Sequence, residues 1–413
     1  MNHTPTFPPR LACSELLPAS KSISNRAMVI CALSNANSGV ENLATCDDTY
    51  VMWRALTRRE PVIDVMAAGT AMRFLTAYFS VCNGEEHVIT GTERMRQRPI
   101  APLVEALRAV GADISYVDRE GFPPLRVRGG HLDGGMLTIA SDVSSQYISA
   151  ILMVAPFMRQ GLTLQLRGPV VSRPYIDMTL AMMQRTGARA QWLAADMLRV
   201  EPGGYAGSTV FEVEGDWSAA SYWYEMVALS PDPEARVTLR RLCRVSLQGD
   251  AAVQQLFRPL GVATTFDDDH HEVVLTKCGV PADVAASPFC ADLMGCPDLA
   301  QTLVVTCAML RRPFRFTGLQ SLRIKETDRM EALRAELEKF GLTLGIAGDS
   351  ELFMDSFPEG TPRWDGRPIA TYKDHRMAMS FAPAAMLCPG LSIADPSVVS
   401  KSYPSFWKRI ENL

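Results

Sequence analysis

A helical pattern that ends in glycine and leads into a strand recurs four times along the chain. Apolar residues at three- and four-residue spacing predict each helix, and alternating apolar residues predict the strand that follows. Glycine between them is the residue expected where a helix closes in the left-handed conformation. The four glycines are Gly111, Gly187, Gly261 and Gly341, separated by 76, 74 and 80 residues. This regular spacing indicates a repeated structural unit.

A short alternating strand followed by a polar loop recurs with nearly the same period. One position in each strand serves as a marker: Val88, Leu164, Val237, Phe314 and Leu391, at steps of 76, 73, 77 and 77 residues. An earlier copy, marked by Val40, lies only 48 residues before the next one and lacks the helix–glycine–strand pattern. We therefore predict six mixed units of about 75 residues, the first of them abbreviated, grouped by threes into two domains.

The loops after the marker strands collect charged and polar side chains. These are Arg98, Ser172, Arg173, Lys325, Glu326 and Lys401. A repeated scaffold that presents such groups from equivalent loops indicates one shared site.

Polar residues also gather where several apolar helices begin. The stretches are "LPASKSISNR", "AAGTAMR", "SDVSSQYISAILM" and "KDHRMAM". Unpaired N–H groups and the helix dipole favour anions there, and hydroxyls and cations would complete the site. A simpler interpretation is that Ser20 or Ser22 is an N-cap with solvated cations around it. Four such helix starts on one repeated scaffold favour anion binding.

The densest charged stretch is "LRIKETDRMEAL", where Lys325, Glu326 and Arg329 lie at the start of a helix. One interpretation is a solvated helix end capped by Thr327. The other is a carboxylate whose pKa is set by neighbouring cations, which suits proton transfer. Asp298, before another apolar helix, is likewise either a cap or a base for a substrate hydroxyl.

Composition narrows the classes of function. The 413 residues carry a formal net charge of −4, with 47% hydrophobic and 21% charged residues, so the chain is globular and lacks the basic field of a nucleic-acid-binding or membrane-surface protein. No apolar stretch has transmembrane length, and the N-terminus lacks a secretory h-region. Ten cysteines without a CxxC pair indicate free thiols in the cytoplasm. We considered Cys290 and Cys296 as metal ligands and expect no metal, because no histidine lies at ligand spacing.

Ten motifs, in order from Pro18 to Phe406, resemble the EPSP synthase family of enolpyruvyl transferases. They are "LPASKSISNR", "AGTAMR", "RMRQRPI", "SSQYISAILM", "VSRPYID", "EGDWSAASY", "PDLAQT", "RIKETDR", "DHRMAM" and "SKSYPSF". The resemblance implies an α/β (α+β) fold of two similar, inside-out barrel-like domains, each of three βαβαββ units, with ligands in the cleft between them. It implies residues 1–19 plus 216–413 as one domain and residues 20–215 as the other.

The resemblance also implies the reaction. The enolpyruvyl group of phosphoenolpyruvate would pass to the 5-hydroxyl of 3-phosphoshikimate through a tetrahedral intermediate, with release of phosphate. The substrates are small molecules, and neither a metal nor an organic cofactor is expected. We expect a cytoplasmic monomer that binds neither nucleic acid nor membrane.

Site residues follow from the matching motif positions. The resemblance implies that 3-phosphoshikimate contacts Lys21, Ser22, Arg26, Ser144, Ser145, Gln146, Ser172, Tyr175, Asp298 and Lys325. It implies that phosphoenolpyruvate contacts Lys21, Gly69, Arg98, Gln146, Arg329, Arg376 and Lys401. Asp298 would accept the hydroxyl proton, and Glu326 would protonate the methylene carbon and later deprotonate it. Lys21 would share proton handling at the hydroxyl and the leaving phosphate.

The chain departs from the family pattern at four positions. Ala19 replaces a frequent glycine, Phe74 a common proline and Ser321 a common asparagine. Ala67 replaces an asparagine that contacts phosphoenolpyruvate in many members, which removes a hydrogen bond of about 1–3 kcal/mol.

Three alternatives compete with this interpretation. The related transferase acting on UDP-N-acetylglucosamine carries a cysteine just before the arginine matching Arg98, and here the nearest, Cys82, is sixteen residues upstream. An RNA-end-processing or RNA-binding protein would need a basic surface. A non-catalytic relative would bind the ligands without turnover, which a turnover assay distinguishes.

Overall fold

A computed structural model describes residues 2–34, 38–140 and 144–413 of the chain. Its backbone contacts divide the chain into two compact units. The discontinuous unit comprises Met1–Pro18 and Glu214–Leu413, and the continuous unit comprises Ala19–Val213.

Fourteen α-helices lie in the described residues, in chain order from α1 to α14: Lys21–Leu33, Asp47–Arg58, Gly69–Ser80, Glu93–Arg96, Ala101–Ala109, Ser145–Val154, Arg173–Arg185, Trp217–Leu229, Val253–Leu256, Ala282–Ala286, Ala300–Met309, Arg329–Leu337, His375–Phe381 and Phe406–Glu411.

Twenty strands lie in the same residues, from β1 to β20: Asn2–His3, Ala12–Leu16, Gly39–Glu41, Val62–Asp64, Glu86–Thr90, Asp113–Tyr116, Leu125–Arg128, Gly135–Ala140, Leu162–Arg167, Ala190–Ala194, Met197–Val200, Val210–Glu212, Arg236–Arg240, Val262–Asp267, Glu272–Lys277, Phe289–Asp292, Phe314–Thr317, Gly345–Ala347, Glu351–Met354 and Ile393–Ala394.

Four sheets repeat one topology. Their strand orders are β4-β5-β7-β6, β8-β9-β11-β10, β2-β13-β15-β14 and β16-β17-β19-β18. In each of these orders the second strand is parallel to the first strand and antiparallel to the third. These second strands contain Val88, Leu164, Val237 and Phe314, so the marker positions are confirmed. The four predicted glycines have φ of 106°, 87°, 87° and 70°.

The repeat is incomplete at two places. As predicted, the first unit is abbreviated: β3 forms a two-stranded parallel sheet with β12. The last unit is also reduced, which the sequence did not predict. Leu391 lies before β20 and not in a strand, and β20 pairs with β1 in a two-stranded sheet. Gly390 at φ 88° and Asp395 at φ 46° leave extended backbone only for the short segment between them.

Helices fill the interior of each unit, and the sheets lie outside them. Every residue of α11 and α13 is buried, and α3, α6 and α8 are almost entirely buried. A helix that is apolar on all sides must be surrounded by protein. The strands instead alternate between buried and exposed positions, as in β13. The four-stranded sheets remain open, so the barrel-like arrangement comes from sheets around helices and not from a closed sheet.

Candidate active site

In the discontinuous unit, charged residues meet where four helices begin. Helices α8, α11, α12 and α13 pack against one another. Asp216, Asp328 and Asp374 cap α8, α12 and α13 through side-chain oxygens that accept backbone N–H groups. The cap of α12 is therefore Asp328, and the alternative cap Thr327 is wrong. Asp328 succeeds because its carboxylate reaches the N–H groups of both Met330 and Glu331, at 3.1 and 3.3 Å.

Arg329 lies at the centre of this cluster and is 2% exposed. Its Nε donates to Asp374 Oδ2 at 2.7 Å, and its Nη1 donates to Asp298 Oδ1 at 2.9 Å. Its Nη2 donates to Glu326 Oε2 at 3.1 Å. Burial opposes its charge, but these carboxylates raise the pKa of the guanidinium above its ordinary value. One arginine thus fixes three carboxylates from three parts of the chain.

Asp298 contacts three cations in the part of the chain that the structure describes. Besides Arg329, its oxygens lie 3.0 Å from Arg376 Nη2 and 3.5 Å from Lys325 Nζ. Burial would raise the pKa of Asp298, but Arg376, Lys325 and Arg329 lower it well below its ordinary value. These cations favour the ionised form of Asp298, and its side chain binds them instead of capping α11.

Glu326 lies between two cations, but only one of them is a cation that the sequence around Glu326 indicates. Its Oε2 accepts from Arg329, and its Oε1 lies 2.5 Å from Lys401 Nζ. Lys325, its neighbour in sequence, is turned toward Asp298. A carboxylate fixed at both oxygens is oriented for proton transfer to a bound molecule.

The continuous unit gathers polar side chains in a similar way. Helices α1, α3, α6 and α7 pack against one another. Ser20 caps α1, as one interpretation of the sequence expected, and Ser144 caps α6. Gln146 Nε2 donates to Thr70 Oγ1 at 3.2 Å, which joins the beginnings of α6 and α3.

Arg26 is a buried cation among neutral partners. Its Nε donates to Thr179 Oγ1 at 2.7 Å, and its Nη groups donate to Ser149 Oγ and to the carbonyls of Ser22 and Tyr175. Its guanidinium also lies over aromatic rings, 5.3 Å from the centroid of Phe74 and 5.8 Å from that of Tyr175. Burial lowers the pKa of Arg26 to about 10, which leaves it charged at neutral pH.

Two further cations of this unit occupy defined environments. Lys21 Nζ lies 3.1 Å from Asp48 Oδ2, and Asp48 is 4% exposed. The guanidinium of Arg98 lies so close to Gly69 that a Cβ there would be 2.7 Å from Nη1. Arg98 Nε is buried and has no hydrogen-bond partner among the residues that the structure describes. A close cation above the start of α3 is well placed to bind an anion.

Direct contacts join all six predicted site residues of the discontinuous unit: Asp298, Lys325, Glu326, Arg329, Arg376 and Lys401. In the continuous unit, Arg26 joins Ser22 and Tyr175, Gly69 adjoins Arg98, and Ser144 adjoins Gln146. Ser172 has φ of 57°, and its hydroxyl does not cap α7. Ser145 is buried in the first turn of α6. Residues 141–143, which precede Ser144 in the stretch "SDVSSQYISAILM", lie outside the described residues.

The structure adds residues that the sequence did not assign. Asp374 anchors Arg329, Ser218 Oγ accepts from Arg376 at 3.2 Å, and Asp250 pairs with Ser218. Burial and the charge of Asp298 raise the pKa of Asp250 to about 7. The sequence offered a signal for Asp374, because it is a carboxylate at the start of a helix and lies two residues before Arg376. Asp250 had none, because its role depends on a distant serine.

Two features of residues 2–34, 38–140 and 144–413 bear on other classes of protein. No three His, Cys, Asp or Glu side chains lie together as metal ligands would. Within the same residues, every helix is too short or too polar to cross a membrane.

The sequence model of EPSP synthase (3-phosphoshikimate 1-carboxyvinyltransferase) matches residues 54–410. The chain belongs to the EPSP synthase family. A 3-phosphoshikimate 1-carboxyvinyltransferase of Bacteroides fragilis is 51% identical over 407 residues, covering 98% of this chain and 96% of the relative. The enzyme of that name from Cellvibrio japonicus is 34% identical, covering 95% and 94% of the two chains. The EPSP synthase structure from Acinetobacter baumannii superimposes with a TM-score of 0.75 at 20% identity, covering 100% of this chain and 98% of that one, which supports the fold.

Proposed function

We propose that the protein transfers the enolpyruvyl group of phosphoenolpyruvate to the 5-hydroxyl of 3-phosphoshikimate in the shikimate pathway of aromatic amino acid biosynthesis. The products are 5-enolpyruvylshikimate 3-phosphate and phosphate. The observation that carries this proposal is the 51% identity, over 98% of the chain, with an enzyme named for that reaction. Arg329 binds both Asp298 and Glu326, and these side chains supply the groups that the reaction needs.

The first half of the reaction is an addition. The 5-hydroxyl oxygen bonds to the central carbon of phosphoenolpyruvate, and Asp298 accepts the hydroxyl proton. Glu326, in its protonated form, gives a proton to the methylene carbon, and the tetrahedral intermediate results. Lys401 and Arg329 hold the two oxygens of Glu326 and so orient this transfer.

The second half is an elimination. The carbon–oxygen bond to phosphate breaks, and Glu326 removes a proton from the new methyl group to restore the double bond. Lys21 shares the transfer of the hydroxyl proton to the leaving phosphate. The protein therefore uses one carboxylate as acid and then as base, which requires that both of its oxygens stay in place.

Substrate binding follows from the cations. Phosphoenolpyruvate, with a carboxylate and a phosphate, is proposed to contact Lys21, Gly69, Arg98, Gln146, Arg329, Arg376 and Lys401. 3-Phosphoshikimate is proposed to contact Lys21, Ser22, Arg26, Ser144, Ser145, Gln146, Ser172, Tyr175, Asp298 and Lys325. Guanidinium groups suit both anions because they pair with carboxylate and phosphate through two hydrogen bonds.

Substrate binding also explains how Asp298 can act as a base. Burial would raise the pKa of Asp298, but Arg376, Lys325 and Arg329 lower it well below the ordinary value. Bound anions neutralise part of this positive charge. The pKa of Asp298 then rises, and its affinity for the hydroxyl proton increases as the anionic substrates bind.

The test is phosphate release by the purified protein with each substrate alone and with both. We expect release only with both, and loss of it in Asp298→Asn but not in Asp349→Asn, an exposed aspartate outside the cluster. Release with UDP-N-acetylglucosamine as acceptor would favour the related transferase. Binding of 3-phosphoshikimate without release would favour the non-catalytic relative. A monomeric state and a cytoplasmic location stay predictions.

A further inference from the structure

The turn before α13 contains two consecutive residues in the left-handed conformation. Tyr372 has φ of 53° and Lys373 has φ of 57°. Residues other than glycine rarely adopt this backbone conformation, and it persists only where the surrounding structure holds it. Asp374, which caps α13 and binds Arg329, follows directly. The strained turn therefore sets the position of a carboxylate in the candidate active site.

One buried carboxylate holds this turn. Glu336 is 1% exposed, and its Oε1 accepts from Tyr372 Oη at 2.7 Å. Its Oε2 accepts from the N–H of Ala370 at 2.9 Å and from Lys339 Nζ at 2.6 Å. We call these four residues the Glu336 clamp.

The clamp and the active site share one helix. Arg329 is the first residue of α12, and Glu336 lies in its last turn. Arg329 holds Asp374 at one end of the strained turn, and Glu336 holds Ala370 and Tyr372 at the other. A single rigid helix therefore fixes the segment 370–374 at two points.

We propose that Tyr372 and Glu336 are positioning residues for the transfer reaction. They hold the strained turn so that Asp374 orients Arg329 and α13 directs Arg376 to Asp298. The inference rests on the proposed function, and neither residue is among the proposed substrate contacts.

The first test compares Tyr372→Phe with Tyr205→Phe. Tyr205, in the continuous unit, is 3% exposed and donates one hydrogen bond to the carbonyl of Met153 at 2.8 Å. Both variants thus lose one tyrosine hydrogen bond. We expect Tyr372→Phe to lower kcat/KM for phosphoenolpyruvate about tenfold or more, because small displacements of catalytic groups are costly. We expect Tyr205→Phe to change it less than about twofold. Equal effects would overturn the proposal.

The second test is rescue. Asparagine adopts the left-handed conformation more readily than lysine, so Lys373→Asn lowers the strain that the clamp must hold. Added to Tyr372→Phe, it should restore most of the lost kcat/KM. A double variant no better than Tyr372→Phe would contradict the role of the clamp in holding strain.

Hydrogen exchange by mass spectrometry separates this inference from the proposed function, because it needs no activity. Tyr372→Phe should speed amide exchange in the segment 370–377 about tenfold relative to wild type, whereas Tyr205→Phe should leave it unchanged. Unchanged exchange in Tyr372→Phe would refute the clamp even in an active enzyme. Faster exchange in a protein without transferase activity would uphold the clamp and reject the function.

Discussion

Gly69→Ala should weaken phosphoenolpyruvate binding without unfolding the protein. Gly69 begins α3, and its backbone lies outside the left-handed region, so alanine can adopt its conformation. The new Cβ would lie 2.7 Å from Arg98 Nη1 and 3.2 Å from its Cζ. Ordinary contact begins at 3.4 Å, so Nη1 must move by about 0.7 Å. The end of a flexible side chain moves more easily than the backbone, and Arg98 therefore gives way.

The displacement of Arg98 determines how much the binding of phosphoenolpyruvate weakens. Loss of one hydrogen bond between a guanidinium and an anion costs about 1.5–3 kcal/mol. This corresponds to a rise in KM for phosphoenolpyruvate of roughly 10- to 150-fold. Alanine in place of glycine stabilises a compatible helical position by about 0.4–1 kcal/mol, so the melting temperature should not fall.

The assay measures initial rates with phosphoenolpyruvate varied at saturating 3-phosphoshikimate, and then with the roles exchanged. Gly130→Ala is the matched control, since a Cβ there meets no atom within 4 Å. An unchanged KM for phosphoenolpyruvate in Gly69→Ala would show that Arg98 does not bind this substrate. An equal rise in KM for both substrates would contradict the prediction too, because Arg98 would then not be specific to one of them.

Three further changes test other parts of the account. Arg26→Lys keeps the charge but loses the hydrogen bonds to Thr179 and Ser149, so KM for 3-phosphoshikimate should rise about tenfold or more in initial-rate assays, with kcat changed less. Asp298→Asn removes the base, and single-turnover phosphate release should slow by about 10²–10⁴-fold. Glu225 is fully buried, and burial raises its pKa well above the ordinary value, so the folded state binds its proton more tightly than the unfolded state does. Its contribution to stability is therefore lost as the pH rises above the pKa of the unfolded chain. Urea unfolding should find Glu225→Gln more stable than wild type at pH 7, with the difference shrinking toward pH 4; an equal difference at both pH values would contradict this.

Local signals in the sequence predicted much of the fold. The strand at Val88 and the helix α7, which ends just before Gly187, follow from periodicity and from glycine, which act over a few residues. A strand was predicted around Leu391, but its reduction to the two residues of β20 was not, since it depends on Asp395 adopting a left-handed conformation that its residue type does not require.

Pairings across long separations could not be predicted. Lys401 and Glu326 are 75 residues apart, and the sequence around Glu326 instead favoured Lys325 as its nearest cation. Asp250 and Ser218 are 32 residues apart, and neither carries a local pattern. Such pairs form because the fold brings helix starts together, which is a property of tertiary packing.

The most direct test of the account is proton transfer by Glu326 in deuterated water. With both substrates, wild type should place deuterium on the methylene carbon of the enolpyruvyl group. Glu326 adds a proton to this carbon to form the methyl group of the intermediate, and then removes a proton from that methyl group. Glu326→Gln should lose this incorporation together with phosphate release, whereas Glu359→Gln, an exposed control, should match wild type. Deuterium incorporation in Glu326→Gln at the rate of wild type would contradict the account.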